Sequence, residues 1–449
     1  MKRQTALICA VAALPTACAV AQLGRLHPDE VYQFLEPAYR WVHGYGVQAW
    51  EWKVGLRNWA VPGVLGLLLR LCVALGIDHP RAYRAVLAIP QLLLHGWMLF
   101  AVFRYARRRR QSEAQALGAA LLVGLYGWVL LFAGRTLGES ISAGLLVLGV
   151  IALEDEGARF REGVWGGSLL GLAVVARYGS AVVVMAALVW LAANRRWRSF
   201  FGACVGGGAV ASALGALDWV IWDRPFHSLL AYLEFNIFSG EASRRFGAAS
   251  AGFYARPLAY ALPLWAVVLI PAFRRVRLNL LTFGALCYLA AVVAAPHKEE
   301  RFLYPGLLML VVAAAPSTVE VISGVRARVA RWGAAAVLVT MSAVGPYLGY
   351  GPDLRGDQLR AVVRAARDSD ATGLLIVNEG LWGAGGFFYL GKNIPWTTCD
   401  WPAELSFIRA VNDPRFNRAV TFEGRALREL QAHGFKPAAI VGRETILSR

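Results

Sequence analysis

PGVLGLLLRLCVALGI, residues 62–77, decides how the chain is threaded. It has the composition of a membrane span but only sixteen residues, where a span needs about 20. Pro62, Gly63 and Gly66 stand early in it and Arg70 sits in its middle. If this segment crossed the bilayer, the next apolar run would carry Arg104 and Arg107-Arg108-Arg109-Arg110 to the outer face. If it lies flat, those arginines fall in the cytoplasm, as the positive-inside rule requires. Every later basic cluster then lands on the same side: Arg159/Arg161, Arg195/Arg196/Arg198, Arg274/Arg275/Arg277 and Arg326/Arg328/Arg331. The segment is therefore read as an interfacial or re-entrant helix.

Outward from it, eleven apolar segments are read as spans: 5–23, 85–103, 115–133, 138–153, 164–176, 180–193, 200–222, 258–273, 279–295, 302–316 and 332–349. The N-terminus is then cytoplasmic and the C-terminus outside. Lys2, Arg3 and the following apolar run also fit a signal peptide, but an uncleaved first span suits a polytopic chain better. The expected organisation is an all-α polytopic domain over 1–349, with 24–84 as its first extracytoplasmic loop. Residues 350–449 follow as a small soluble α/β tail outside the membrane. In that tail Leu374-Leu375-Ile376-Val377 reads as a buried strand followed by a glycine-rich turn.

Composition agrees. The 449 residues are 57% hydrophobic and 17% charged, with 16 Trp and a mean hydropathy of +0.47, which places the chain among integral membrane proteins. A net charge of +17 would suggest nucleic acid in a soluble protein. Here the arginines sit between apolar segments as topology signals, and no nucleic-acid partner is expected. Cys9, Cys18, Cys204 and Cys287 lie in apolar segments, so no disulfide framework is read. No zinc-type Cys/His spacing occurs, and no Asp-x-Asp pair stands in the first loop; a divalent metal is compatible with the chain but not implied.

Under this topology the polar chemistry gathers on one face. His27-Pro28-Asp29-Glu30 opens an amphipathic run. At 100° per residue, Asp29, Tyr32, Gln33, Glu36, Arg40 and His43 share one side of a helix, while Val31, Phe34, Leu35, Ala38, Trp41 and Val42 share the other. Such a helix would lie in the interface, its apolar face toward lipid or the bundle and its polar face toward water or a cavity. Asp29 and Glu30 diverge on a helix and cannot form a close dyad. Asp29 is the better placed to react, although an N-cap would use the same residue type. His297-Lys298-Glu299-Glu300-Arg301 is a second polar cluster, set between apolar runs. Its cationic donors suit a phosphate or pyrophosphate leaving group, with the carboxylates orienting them; a solvated loop would have the same composition. Arg135-Thr136 in a tight turn and Asn236 in the loop 223–257 complete the outer face. The candidate phosphate contacts are thus His297, Lys298, Arg301 and Arg135, and the candidate substrate contacts Gln33, Glu36, Asn236 and Glu300.

The strings HPDEVYQFLEPAYRWVHGYGVQAWEW, LRNWAVPG, RTLGES, EFNIFSG and PHKEERFLYP, in this order over residues 5–350, resemble the lipid-phosphate-mannose-dependent mannosyltransferases. These comprise the GPI mannosyltransferases and those of lipid-linked oligosaccharide assembly, all of the GT-C fold. The resemblance implies inverting transfer of mannose from a polyprenyl-phosphate donor to a glycolipid or lipid-linked glycan on the non-cytoplasmic face. It implies Asp29 as general base with Glu30 as its acidic neighbour, and matches Arg135, His297, Lys298, Glu300 and Arg301 to the family's outer-face motifs. Glu139 stands where the family's Arg-Thr turn usually leads to Asn, and the 236–254 loop lacks a His-Pro-Trp string; both departures bear on the acceptor. A bacterial plasma membrane is expected from the Ala/Arg-rich composition and the lack of Asn-x-Ser/Thr sites. The alternatives are a GT-C transferase of another polyprenyl-phosphate sugar (glucose, arabinose) and a lipid-linked sugar flippase. A flippase would place charges near the midplane and show a structural repeat.

Overall fold

The computed structural model describes residues 2–21, 23–24, 27–155, 157, 159–262, 278–350, 356–378, 384–401 and 405–449. The chain divides into two compact units: Met1–Val20, Val54–Ala60 and Ile89–Pro352 form the first, and Ala21–Lys53, Val61–Ala88 and Asp353–Arg449 the second.

Helices stand where ten of the apolar segments were read. They include Lys2–Ala21, Pro80–Arg108, Gly138–Glu154, Phe160–Ala176, Ala181–Ala193, Trp197–Trp222, Leu280–Ala294, Tyr304–Ser323 and Arg328–Tyr350. The segment 115–133 is two helices, Glu113–Gly124 and Gly127–Phe132. It breaks at Tyr126, whose extended backbone ends the first helix and whose hydroxyl donates to the Ala261 carbonyl at 2.8 Å. The expected span 258–273 begins in the helix Ala255–Ala261; the rest of it, and the cluster Arg274/Arg275/Arg277, lie outside the described residues. Pro80–Arg108, Trp197–Trp222 and Glu300–Ser323 are each long and apolar enough to cross a membrane.

Within the first unit, small residues let helices approach closely. Gly163 and Gly167 on Phe160–Ala176 face Gly202 and Gly206 on Trp197–Trp222. A Cβ at Gly167 would strike the Ala203 carbonyl, and one at Gly206 the Val164 carbonyl. Elsewhere in the same unit Tyr126, Trp128, Phe132 and Tyr304, all buried, pack as an aromatic core.

The second unit carries a five-stranded sheet of order β2-β1-β3-β5-β4, where β1 is Leu374–Val377, β2 Trp396–Cys399, β3 Arg418–Thr421, β4 Lys436–Val441 and β5 Glu444–Ser448. β1 runs parallel to β2 and β3; β5 is antiparallel to β3 and β4. Leu374–Val377, read as a buried strand, is β1, with all four residues buried.

The second unit draws together segments that are far apart in the sequence. Val31, Leu35 and Tyr39 of the first loop, and Leu65, Leu69 and Cys72 of the helix Ala60–Ala74, share one core with Leu359, Val363 and Phe388 of the tail. The apolar face of 31–39 was expected to meet lipid or the bundle. It is buried instead against the amphipathic helix Gly356–Arg367 and the short helix Gly386–Leu390, whose own apolar sides need the same cover.

Candidate active site

In the second unit, Pro28 sits at the start of a helix for which its missing N–H is no loss. The His27 side chain accepts the Asp29 amide at 3.3 Å. Asp29 therefore stands in the first turn, half-buried, where the helix dipole favours its ionised form. Glu30, expected as its acidic neighbour, is 1% exposed and ion-paired to Arg84, itself buried.

The next five residues, Val31–Leu35, form a π-helical turn. A π turn advances less than 100° per residue, so the regular wheel loses phase here and the expected single polar face is corrected. Gln33 remains half-exposed and donates to Glu51 at 3.3 Å. Glu36 is fully buried: its Oε1 accepts the backbone N–H groups of Val47 (2.7 Å) and Phe387 (3.0 Å), and its Oε2 that of Phe388 (2.8 Å). Burial pushes its pKa up to about 7 against the opposing pull of those three amides. Gly386, at φ +64°, lets the backbone come this close; a Cβ there would lie 2.5 Å from Glu36 Oε2. Glu36 thus holds two segments of this unit together.

In the first unit, Glu299 organises the motif His297–Arg301. It accepts Arg301 through Nε (2.8 Å) and a terminal nitrogen (2.7 Å), and lies 3.2 Å from His297 Nε2. Burial opposes ionisation of Glu299, but its bonds to His297 and Arg301 win and hold the carboxyl well below its usual range. Arg301 also lies 3.6 Å from Glu139, and Glu139 binds Arg177. Two guanidinium groups therefore converge on one buried carboxylate. Gly138 makes the approach possible: a Cβ there would lie 2.8 Å from the Ala176 carbonyl, so the turn before Gly138–Glu154 sits against the end of Phe160–Ala176. Arg177 also stacks over Phe302 at 4.5 Å.

Lys298 is buried, and its ammonium donates to the carbonyls of Val293 (2.6 Å) and Ala295 at the end of the helix Leu280–Ala294. That is how a cation caps a helix C-terminus. Glu300 accepts the Tyr260 hydroxyl. Arg135 is buried, and its carbonyl accepts Gln91, which also binds Ser140 at 2.9 Å. Asn236 donates to the Tyr232 carbonyl at 2.9 Å.

Sequence reasoning missed Arg177 and, starting from its sequence neighbour Tyr178, a chain of buried hydrogen bonds. The buried Asp218 accepts the Ser228 amide (2.9 Å) and hydroxyl (2.5 Å), and Ser228 meets the Tyr178 hydroxyl at 2.5 Å. Tyr178 in turn takes Asn58 at 3.0 Å. The available signal was a carboxylate, Asp218, inside an apolar segment, rarely placed there without a task. Among the described residues no group of three or more His, Cys, Asp or Glu side chains is arranged to hold a metal ion.

The fold is GT-C: apolar helices carrying polar turns, with a small C-terminal sheet. The chain superposes on the crystal structure of ArnT from Cupriavidus metallidurans bound to undecaprenyl phosphate with a TM-score of 0.61, covering 99% of this chain and 98% of that one at 14% identity. Residues 5–350 match the Alg9-like mannosyltransferase family, and the chain belongs to it. Its relatives include GPI mannosyltransferase 3 of Yarrowia lipolytica, 28% identical over 69% of this chain and 61% of the relative. The Trypanosoma brucei brucei GPI mannosyltransferase 3 is 28% identical over 64% of this chain and 60% of its own length. The chain thus spans about three fifths of the length of these relatives.

Proposed function

We propose that the protein transfers mannose from a polyprenyl-phosphate-mannose donor to a glycolipid or lipid-linked glycan, with inversion, on the extracytoplasmic face of a bacterial plasma membrane. A sugar phosphate carries its own leaving group, so the site needs one base and a cationic cradle. Asp29 takes the proton of the acceptor hydroxyl as the new C1–O bond forms, a contribution of about 10²–10⁴-fold. Arg301 and Arg177 receive the departing lipid phosphate, an electrostatic term of roughly 3–4 kcal/mol per well-placed group. Glu139 and Glu299 hold the two guanidinium groups in place before substrate arrives, so little ordering is left to do in the transition state. His297 and Arg135 line the same motifs, Gln33 and Asn236 remain candidate contacts to the substrate, and Lys298 acts by fixing the turn that carries Arg301.

The observation carrying this reading is the convergence of Arg177 and Arg301 on the buried Glu139, within the motif region of an Alg9-like chain. The test is transfer of radiolabelled mannose from polyprenyl-phosphate-mannose to endogenous lipid in membranes containing the protein. Asp29→Asn should abolish transfer while leaving the amount of folded protein unchanged; full activity in that variant would remove Asp29 from the mechanism.

A further inference from the structure

The helix Gly138–Glu154 begins at the Glu139–Arg177–Arg301 cluster; its other end, roughly 24 Å away at 1.5 Å per residue, borders a different feature. A groove of about 690 Å³ opens there between Pro80–Arg108, Gly138–Glu154 and Phe160–Ala176. Its lining changes character along its length. Toward the middle of the three helices stand Trp97, Leu148, Trp165 and Leu169; toward the ends at Arg108, Glu154 and Phe160 stand Arg104, Arg108, Asp155 and Arg161. Trp97 and Trp165 are 40% and 54% exposed, with ring centroids 5.8 Å apart. Trp97, Ala101, Arg104 and Arg108 fall on one stripe of their helix by three- and four-residue spacing, so the gradient is built into a single element.

Among the described residues lining the groove, the two carboxylates already have partners. Asp155 takes Arg108 at 3.4 Å and the Gly157 amide at 3.1 Å, and Glu162 accepts the Arg159 amide at 2.9 Å at the start of its helix. Arg104 and Arg161 line the groove with no hydrogen bond or ion pair among the described residues. A cationic end and an exposed aromatic wall match an anionic headgroup and the acyl chain below it. A free anion would use the arginines and leave the tryptophans unexplained.

We propose that this groove seats one anionic glycerophospholipid, its phosphate between Arg104 and Arg161 and its chain along Trp97, Phe100 and Trp165. The proposal rests on the membrane-spanning reading of these helices and is independent of the transfer reaction. The test is native mass spectrometry of the full chain in detergent, titrated with phosphatidylglycerol or phosphatidylcholine. One tightly held phosphatidylglycerol is expected, with phosphatidylcholine weaker. Arg104→Gln with Arg161→Gln should weaken it roughly thirtyfold, from about 1 kcal/mol per basic residue. Trp97→Ala with Trp165→Ala should also weaken it. The matched pair Arg326→Gln and Arg328→Gln should leave it unchanged. Equal binding of the two lipids, or an equal loss in the matched pair, would overturn the proposal in favour of nonspecific attraction. Displacement by millimolar inorganic phosphate with no effect of the tryptophan pair would overturn it in favour of a free-anion site.

Discussion

Two adjacent carboxylates have opposite environments, and their variants should fail in different ways. Asp29 is half-buried at a helix start, whereas Glu30 is enclosed with Arg84. Glu30→Gln leaves a buried guanidinium without its counter-charge, a loss of about 3–5 kcal/mol. The expected outcome is a lower thermal midpoint and less folded protein, measured by tryptophan fluorescence in detergent, where Asp29→Asn changes neither. Glu36 adds a pH dependence with a definite sign. Its folded pKa, about 7, lies above the ordinary 4.5, so the folded state holds this proton more tightly than the unfolded chain. Its contribution is fully present below about pH 4.5 and is lost as pH rises to about 7, at most about 3 kcal/mol. Thermal midpoints between pH 5 and 8 should show that decline in the native protein and lose it in Glu36→Gln; identical profiles would show that another group titrates. The motif His297–Arg301 was legible as a cationic cluster because its residues are contiguous. The partner of Arg301 was not: Glu139 lies far off in sequence and had registered only as a departure from the family's usual Asn.

At the scale of the element, regular periodicity was a good guide where helices are regular and a poor one where they are not. The apolar segments between 80 and 222 appear as helices because each is a long apolar run bounded by polar or glycine-containing turns. The run 29–43 defeated the wheel because five of its residues form a π turn, which no count of apolar positions reveals. The glycines of Trp197–Trp222 separate packing from propensity. Gly206 faces the Val164 carbonyl, whereas Gly208 is exposed with nothing within 4 Å of a built Cβ. Gly206→Ala should force the helices apart at a loss of about 1–3 kcal/mol. Gly208→Ala should be neutral or gain up to about 1 kcal/mol from helix propensity. Thermal midpoints of the two purified variants check this; a Gly206→Ala protein as stable as the native one would mean that the two helices slide apart freely.

For the whole molecule, the arrangement of charge predicts which ends of the helices share a membrane face. The segment 62–77 was read as too short to cross, and the structure gives a helix over Ala60–Ala74 that contributes Leu65, Leu69 and Cys72 to the core of the second unit. The sharing of that core by loop and tail was not legible, because either amphipathic face taken alone is equally consistent with lipid, bundle or sheet. Fifteen residues rise roughly 22 Å, well short of a hydrocarbon layer of about 30 Å, whereas Pro80–Arg108 has 29 residues and rises roughly 43 Å. One crossing between residues 60 and 108 follows, not two. Single cysteines at positions 80 and 108, introduced into a variant without its own six, should therefore react from opposite sides of sealed vesicles with a membrane-impermeant maleimide. Position 80 should label from the side that carries Asp29, and position 108 from the side of the arginine clusters. The reverse pattern, position 80 labelling from the side opposite Asp29 and position 108 from the side of Asp29, would require Ala60–Ala74 to cross after all and would move Arg107–Arg110 to the face proposed for catalysis; labelling of both from one side would mean that Pro80–Arg108 does not cross.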